Sequence, residues 1–458
     1  MKYAYGITML LSVALPGMGL AQTIEIDNMV IVADNEYQPA LAAAAEQKKE
    51  AAGEVLPQSK NSTDQGWFSR LQGGYVHPYL TLTGEYTDNL YNVGDETTSN
   101  FLTTISPGIW FALPRTKTIP ITITPHNTSA GGLRGSLATY QGYERIQAYL
   151  LGGLDIKNYS EDSDLNKTDG KLEAFLRYNL RGGLSFQVVD RYSQSQDSFG
   201  NGDATADNLR RYDSNLAMAT VDWRFTPKLR GVLDLSNFYL DYKDDRNNEY
   251  DRSDNGASFT AYYRYSPKTS FFLGYKYVDV AYDTAVERDN TQNFVHGGIS
   301  WTPSEKTTLS ARLGYQKRSY EDDSSDSADT NELTTGIQLD YKISEKTAIA
   351  FSVTRQVEEA DTAGALGETV LSSNVRYRQR FTNRISGSIG FGYENTEYDS
   401  LTPPNREDKR YSFRPALQYR FSNWLMFELA YRYEKRDSTD VLYEYDSHSI
   451  LFSLRSSL

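Results

Sequence analysis

Apolar and polar residues alternate with a period of two along most of the chain beyond residue 74. Val221, Trp223 and Phe225 lead into a turn at Thr226-Pro227-Lys228, and Leu229, Gly231, Leu233 and Leu235 lead away from it. Successive side chains of a strand leave opposite faces, so this alternation predicts strands. The turn itself recurs, as Tyr263-Arg-Tyr-Ser-Pro-Lys268, Ser300-Trp-Thr-Pro-Ser-Glu-Lys306 and Tyr341-Lys-Ile-Ser-Glu-Lys346, with fainter copies at Arg380-Phe-Thr-Asn-Arg384 and Arg420-Phe-Ser-Asn423. A spacing of about forty residues marks a repeated supersecondary unit. Short turns alternate with longer Asp/Asn/Ser-rich loops, and that asymmetry is the sequence pattern of a transmembrane β-barrel.

The pattern predicts an all-β fold, a transmembrane antiparallel up-and-down β-barrel of about 18 strands, an even number as bacterial barrels use. Val76, Pro78, Leu80, Leu82 and Tyr86 share the lipid face of the first strand, and Phe101, Ile105, Ile109 and Phe111 that of the second. Later lipid-facing sets centre on Phe186, Trp223, Leu233, Phe259, Leu273, Ile299, Leu313, Ile337, Phe351, Val375, Ile389, Leu417, Phe427 and Phe452. Runs of about nine to eleven residues match a tilted strand crossing a bilayer. Trp110, Trp223, Trp301 and Trp424 all fall beside expected short turns, so the pattern assigns them to one interfacial belt.

The start and the second connection break the rhythm. Lys2, the apolar stretch Ile7–Leu20 and Gly19-Leu20-Ala21 predict a signal peptide over 1–21. Residues 22–73 lack strand periodicity and read as a short flexible periplasmic arm, partly helical or disordered, which leaves 74–458 for an outer-membrane barrel. The stretch 112–142 belongs on the short-turn side, yet it is long and carries Pro114, Pro120, Pro125 and Gly131-Gly132. Two placements stay open for it, beneath the barrel or inside its mouth.

Composition sharpens this reading. Mean hydropathy is −0.59, which would argue against membrane helices but not against strands that show lipid only every second residue. The 35 Tyr suit interfacial girdles, and the absence of Cys fits an oxidising compartment. A net charge of −13 argues against nucleic acid as a partner. The stretches Asp241–Asp254, Glu321–Glu332 and Glu394–Asp408 read as acidic loops on a solvated surface, where they would meet outer-membrane lipid and lipopolysaccharide. None has the ligand spacing of an EF-hand, so no metal or cofactor is expected.

Gly84-Glu-Tyr-Thr-Asp-Asn-Leu-Tyr91 and Phe101-Leu-Thr-Thr-Ile-Ser-Pro-Gly108 resemble the outer-membrane family called putative β-barrel porin 2, with Asn100 standing where the family pattern expects Asp. The resemblance implies a porin-like barrel in the outer membrane of a Gram-negative bacterium. It also implies an association with exopolysaccharide export, with a periplasmic export partner and an anionic polysaccharide as cargo.

Charge placement carries the functional reading. Putting alternate residues inward gives about nineteen basic positions against about nine acidic ones, the reverse of the whole chain. The expected pore-lining set is Lys171, Arg177, Arg230, Lys276, Arg312, Arg318, Arg376, Arg378, Arg414, Arg420 and Arg432. Such a lumen would concentrate anions. Alternatively Glu173, Asp234, Asp340, Glu394, Glu428 and Glu434 pair with these cations across the lumen. The expected function is an outer-membrane channel for anionic solute or exopolysaccharide; the alternatives are a general small-solute porin and a structural or adhesive barrel. A loop folded into the lumen would favour the porin, a packed lumen the structural barrel. The four His (His77, His126, His296 and His448) are scattered without a nucleophile motif, so no enzyme is expected.

Overall fold

In a computed structural model of the chain, the described residues are 20–21, 75–113, 125–133, 145–200, 202–321, 330–400 and 405–457. The expected signal peptide (apart from Leu20–Ala21), the arm, the core of the acidic 321–332 loop and most of 112–142 lie outside them. Eighteen long strands close into one antiparallel barrel: β1 (Val76–Thr87), β2 (Asn100–Leu113), β3 (Ile146–Tyr159), β4 (Lys167–Asn179), β5 (Leu184–Gln196), β6 (Arg211–Arg224), β7 (Leu229–Tyr242), β8 (Arg252–Ser266), β9 (Thr269–Tyr282), β10 (Asn290–Ser304), β11 (Thr307–Tyr320), β12 (Thr330–Ser344), β13 (Thr347–Glu359), β14 (Ala365–Arg380), β15 (Ile385–Ser400), β16 (Glu407–Arg420), β17 (Leu425–Ser438) and β18 (Tyr445–Ser457). Each pairs with its sequence neighbours, and β18 closes on β1 from Ser449↔Thr87 to Ser457↔Tyr79. A two-residue bridge, Leu20–Ala21, runs parallel to Ser195–Gln196 of β5.

Alternation decides which face each residue takes, and the outer face follows the predicted register. Phe186, Trp223, Leu273, Leu313, Ile389, Leu417 and Phe452 are all exposed to the surroundings of the barrel. Trp223, Phe225, Tyr265, Trp301, Phe381, Phe421 and Trp424 form an exposed aromatic belt at the short-turn end. Tyr86, Tyr239, Tyr275, Tyr315 and Tyr411 form a second belt farther along the strands. Amphipathic rings settle at the two membrane interfaces, so the belts bracket the lipid-facing band.

Two expectations need correction. Trp110 is not interfacial: it is 4 % exposed on the inner face, stacked on His77 at 3.9 Å. Its neighbours Ile109 and Phe111 take the lipid face, and a period of two leaves Trp110 no choice. The strands are longer than nine to eleven residues, from 12 in β1 to 16 in β14 and β15. Fourteen residues tilted by about 40° rise roughly 35 Å, well beyond the ~25 Å apolar band. The long-loop ends therefore stand clear of the membrane, and much of what reads as acidic loop is strand. Asp254 and Asp408 are consequently buried inward-facing residues rather than solvated loop acids.

The inner wall is not uniformly polar. On β2 to β7 it is lined by Trp110, Tyr149, Leu151, Phe175, Val189, Leu216, Met218, Phe238 and Leu240, one continuous buried cluster.

Candidate functional site: two inserts and a lumen of arginines

Residues 125–133 lie inside the lumen, which settles the open placement of that part of the second connection. The segment spans from the β8–β9 wall to β13. Gly131 donates its backbone N–H to Asp254 at 2.7 Å, Lys276 Nζ donates to the Ala130 carbonyl at 3.0 Å, and Arg252 Nη2 donates to the Asn127 carbonyl at 2.6 Å. On the other side Glu359 N–H donates to the Thr128 carbonyl at 2.6 Å, and the Thr128 hydroxyl donates to Glu358. Gly132 has φ +69°, and a Cβ there would stand 2.3 Å from the Phe238 ring. Only glycine permits both the left-handed backbone and that approach.

The second insert is the β13–β14 hairpin. Pairing of β12 with β13 stops at Thr335↔Arg355, whereas β13 stays paired with β14 as far as Glu359↔Gly367. The hairpin leaves its β12 neighbour and bends over the long-loop mouth. Arg355 covers the parted seam, donating to the Leu333 carbonyl and bridging to Glu332 at 2.7 Å. The hairpin tip meets the loops of the mouth: Arg288 Nη2 donates to the Ala360 carbonyl at 2.7 Å, and Ala363 N–H donates to Asp203 at 2.7 Å. Tyr320 donates its hydroxyl to the Leu366 carbonyl at 3.1 Å. Arg210, Arg252, Arg288 and Arg318 are all almost completely buried here, as are Glu358 and Glu359. Rings pack around these guanidinium groups, Tyr250 lying 4.4 Å from Arg210 and Tyr282 4.8 Å from Arg288. Just outside the strands, burial pushes the Asp197 carboxyl up to about 6, although Arg210 at 3.1 Å opposes the shift.

Every basic position read from the sequence sits on the inward register, but their surroundings divide them. Arg177 and Arg230 share Asp222, at 3.4 and 2.8 Å. Arg318 bridges to Glu359 at 3.1 Å, and Arg432 binds Glu85 and lies 3.6 Å from Glu434. Lys276 is committed to the inserted segment, and Arg312 lies 5.5 Å from the Phe294 ring. Lys171, Arg378 and Arg420 form no ion pair among the described residues. Of the acids expected as partners, Glu173 and Glu428 do pair, with Arg191 at 2.6 Å and Arg414 at 3.3 Å. Glu394 lies 3.7 Å from Arg410. Asp234 and Asp340 instead accept from Thr220 and Gln338, at 2.6 and 3.1 Å. Further inward acids, among them Asp169, Asp222, Asp254 and Asp408, make the lumen less one-sided than alternation suggested.

The open part of the basic wall is a recess near the short-turn end of β14 to β17. Arg376, Arg378 and Arg414 line it, with Ser386, Ser388, Gly390 and Ala416 as a small-residue floor and Gln418 and Glu428 at one edge. Small floor residues hold the wall back, so guanidinium groups line open space instead of packing on rings. Residues of the mouth that sequence reasoning missed are Arg252, Arg288, Glu358 and Glu359. Glu358 had a signal, since it continues the inward series Thr354, Gln356 on β13; Arg288 is a loop residue and had none.

A closed even-stranded antiparallel barrel with an apolar outer belt, two aromatic girdles and a charged lumen is an outer-membrane porin-type channel. The chain belongs to the family described as putative beta-barrel porin 2, matched over residues 132–458. That match lies downstream of Gly84–Tyr91 and Phe101–Gly108, the segments in which the resemblance was read. No curated protein matches the chain. Among solved structures, it is similar to OpdK of Pseudomonas aeruginosa crystallised with vanillate (12% identity, TM-score 0.44, 84% of this chain and 99% of that one). It is similar also to a BenF-like porin of Pseudomonas fluorescens (13% identity, TM-score 0.45, 84% and 100%) and to OpdL of Pseudomonas aeruginosa (13% identity, TM-score 0.45, 84% and 98%). Likeness at this level carries no information about cargo.

Proposed function

We propose that this porin is an anion-selective channel whose cargo is a carboxylated or otherwise anionic solute. The carrying observation is the recess on β14 to β17, where Arg376, Arg378 and Arg414 gather around a single carboxylate, Glu428. Guanidinium groups offer forked donors that match carboxylates, and a water-filled pore with low-dielectric walls concentrates counter-ions. Both inserts narrow the lumen, which favours small solutes over a polymer. Export of an anionic polysaccharide, with a periplasmic partner, is the wider version of this reading and requires the inserts to move aside. With short turns periplasmic, as in bacterial outer-membrane barrels, the long-loop mouth faces outward towards lipopolysaccharide.

The test is the reversal potential in a salt gradient across a planar bilayer. The parent should prefer anions, and replacing Arg376, Arg378 and Arg414 together by Glu should move the potential toward cations without preventing insertion. Unaltered selectivity would refute the reading. A parent that inserts correctly but conducts under no condition would favour a structural barrel.

A further inference from the structure

The Glu359 carboxylate accepts one hydrogen bond in each available direction. Arg318 Nη2 donates at 3.1 Å and Gln292 Nε2 at 2.5 Å to one oxygen; the Tyr282 hydroxyl at 2.8 Å and Asn290 Nδ2 at 3.2 Å donate to the other. All four donors belong to the fixed wall of β9, β10 and β11, while the anion arrives on the β13–β14 hairpin, which has parted from β12 to reach them. An anion site in which wall supplies every donor and a detachable insert supplies the charge is built like a receptor holding its own ligand. Removing the hairpin would expose a guanidinium, a hydroxyl and two amides converging on one carboxylate-sized space.

We infer that this cradle is a carboxylate-binding site at the outer mouth, that Glu359 is its resident occupant, and that a carboxylate of the cargo displaces it, releasing the hairpin and opening the pore. The inference rests on the anionic-cargo reading and adds a second site, some way along the lumen from the arginine recess, together with the means of opening. Exchange conserves charge: one buried carboxylate leaves as another enters, so Arg318 is never left uncompensated. An occupant tethered through a short segment competes at an effective concentration of order mM. A single solute carboxylate therefore opens the mouth only at about that concentration or above, and a polyanion at lower molarity.

Conductance at symmetric salt tests this without reference to ion selectivity. Purified full-length protein in planar bilayers should conduct weakly alone and several-fold more with about 10 mM galacturonate, or with polygalacturonate, on the long-loop side, with glucose as the neutral control. Glu359→Gln should raise the basal conductance and abolish the galacturonate response. Because that variant could fail to fold, a second arm keeps Glu359. The chain has no Cys, so a Thr362→Cys/Asp203→Cys pair, replacing side chains that touch at 2.9 Å, tethers the hairpin when bridged by oxidation or a short thiol cross-linker. The tethered form should lose the galacturonate response, and reduction of the oxidised pair should restore it. A galacturonate response that persists with the hairpin tethered would overturn the proposal, as would a folded Glu359→Gln protein that behaves like the parent. Cation preference with an intact hairpin effect would refute the anionic-cargo reading but leave the gate standing.

Discussion

Two groups of arginines face the same lumen and meet opposite fates. At the mouth, Arg252, Arg288 and Arg318 are nearly inaccessible, wrapped by tyrosine rings, by Glu359 and by carbonyls of the two inserts. Toward the short turns, Arg376, Arg378 and Arg414 line open space over serine, glycine and alanine. Residue type is the same in both groups, and Arg252 and Arg318 share the inward strand register of the second group. The difference lies in what crosses the lumen opposite them: an inserted segment and a bent hairpin in one case, small wall residues in the other. An inward arginine on a barrel strand is therefore a channel residue only where no insert from elsewhere in the chain covers it.

The comparison breaks first on stability. Glu359→Ala strips a desolvated guanidinium of its partner and should cost about 3–5 kcal/mol. Arg378→Ala, which breaks no ion pair among the described residues, should change stability by less than about 1 kcal/mol. Urea unfolding followed by tyrosine fluorescence measures both, and equal losses would erase the distinction between the groups.

Ionic strength should separate them next. Arg378 is exposed and Arg376 and Arg414 are partly so, so anion preference should weaken as the Debye length falls from about 10 Å at 0.1 M salt to about 3 Å at 1 M. Ion pairs of the mouth are buried and screened far less, so hydrogen exchange of the 358–366 amides should stay nearly constant over the same range. Exchange that accelerates in parallel with lost selectivity would mean that the mouth is hydrated too.

Acidification gives the smallest expected effect. Burial pushes Asp197 and Asp251, in the loops flanking β6 to β8, each up to about 6. Between pH 4 and 6 the packed loops then bind more protons than the opened ones, so their stability is greatest below about pH 4 and declines as pH rises through 6. Amides of 197–210 and 243–251 should exchange more slowly at pH 5 than at pH 7 once the intrinsic rate is corrected. The gain is modest because protonating Asp197 forgoes its contact with Arg210. Faster corrected exchange at pH 5 would show that the ion pair outweighs the burial.

Alternation along the chain was enough to determine the barrel, its strand number and the outward register of residues such as Leu273, Leu313 and Phe452. A strand's two faces are set by local geometry, and lipid tolerates only one kind of residue on the outer face. The same parity puts Lys171, Arg378 and Arg414 on the inward register. It misjudged strand length, because beyond the bilayer polar alternation continues in strand and loop alike, so Asp254 and Asp408 looked like loop acids. It could not say which inward residues would be covered. Glu359 meets Tyr282, Asn290, Gln292 and Arg318 only because β13 parts from β12 and crosses the mouth, and Gly132 meets Phe238 only because a long connection turns back into the lumen. Those contacts join residues as many as 106 positions apart in the case of Gly132 and Phe238, and no local period encodes them. They depend on the curvature of a closed sheet and on where two inserts come to rest, which is why tertiary structure alone decided which arginines line a channel and which hold it shut.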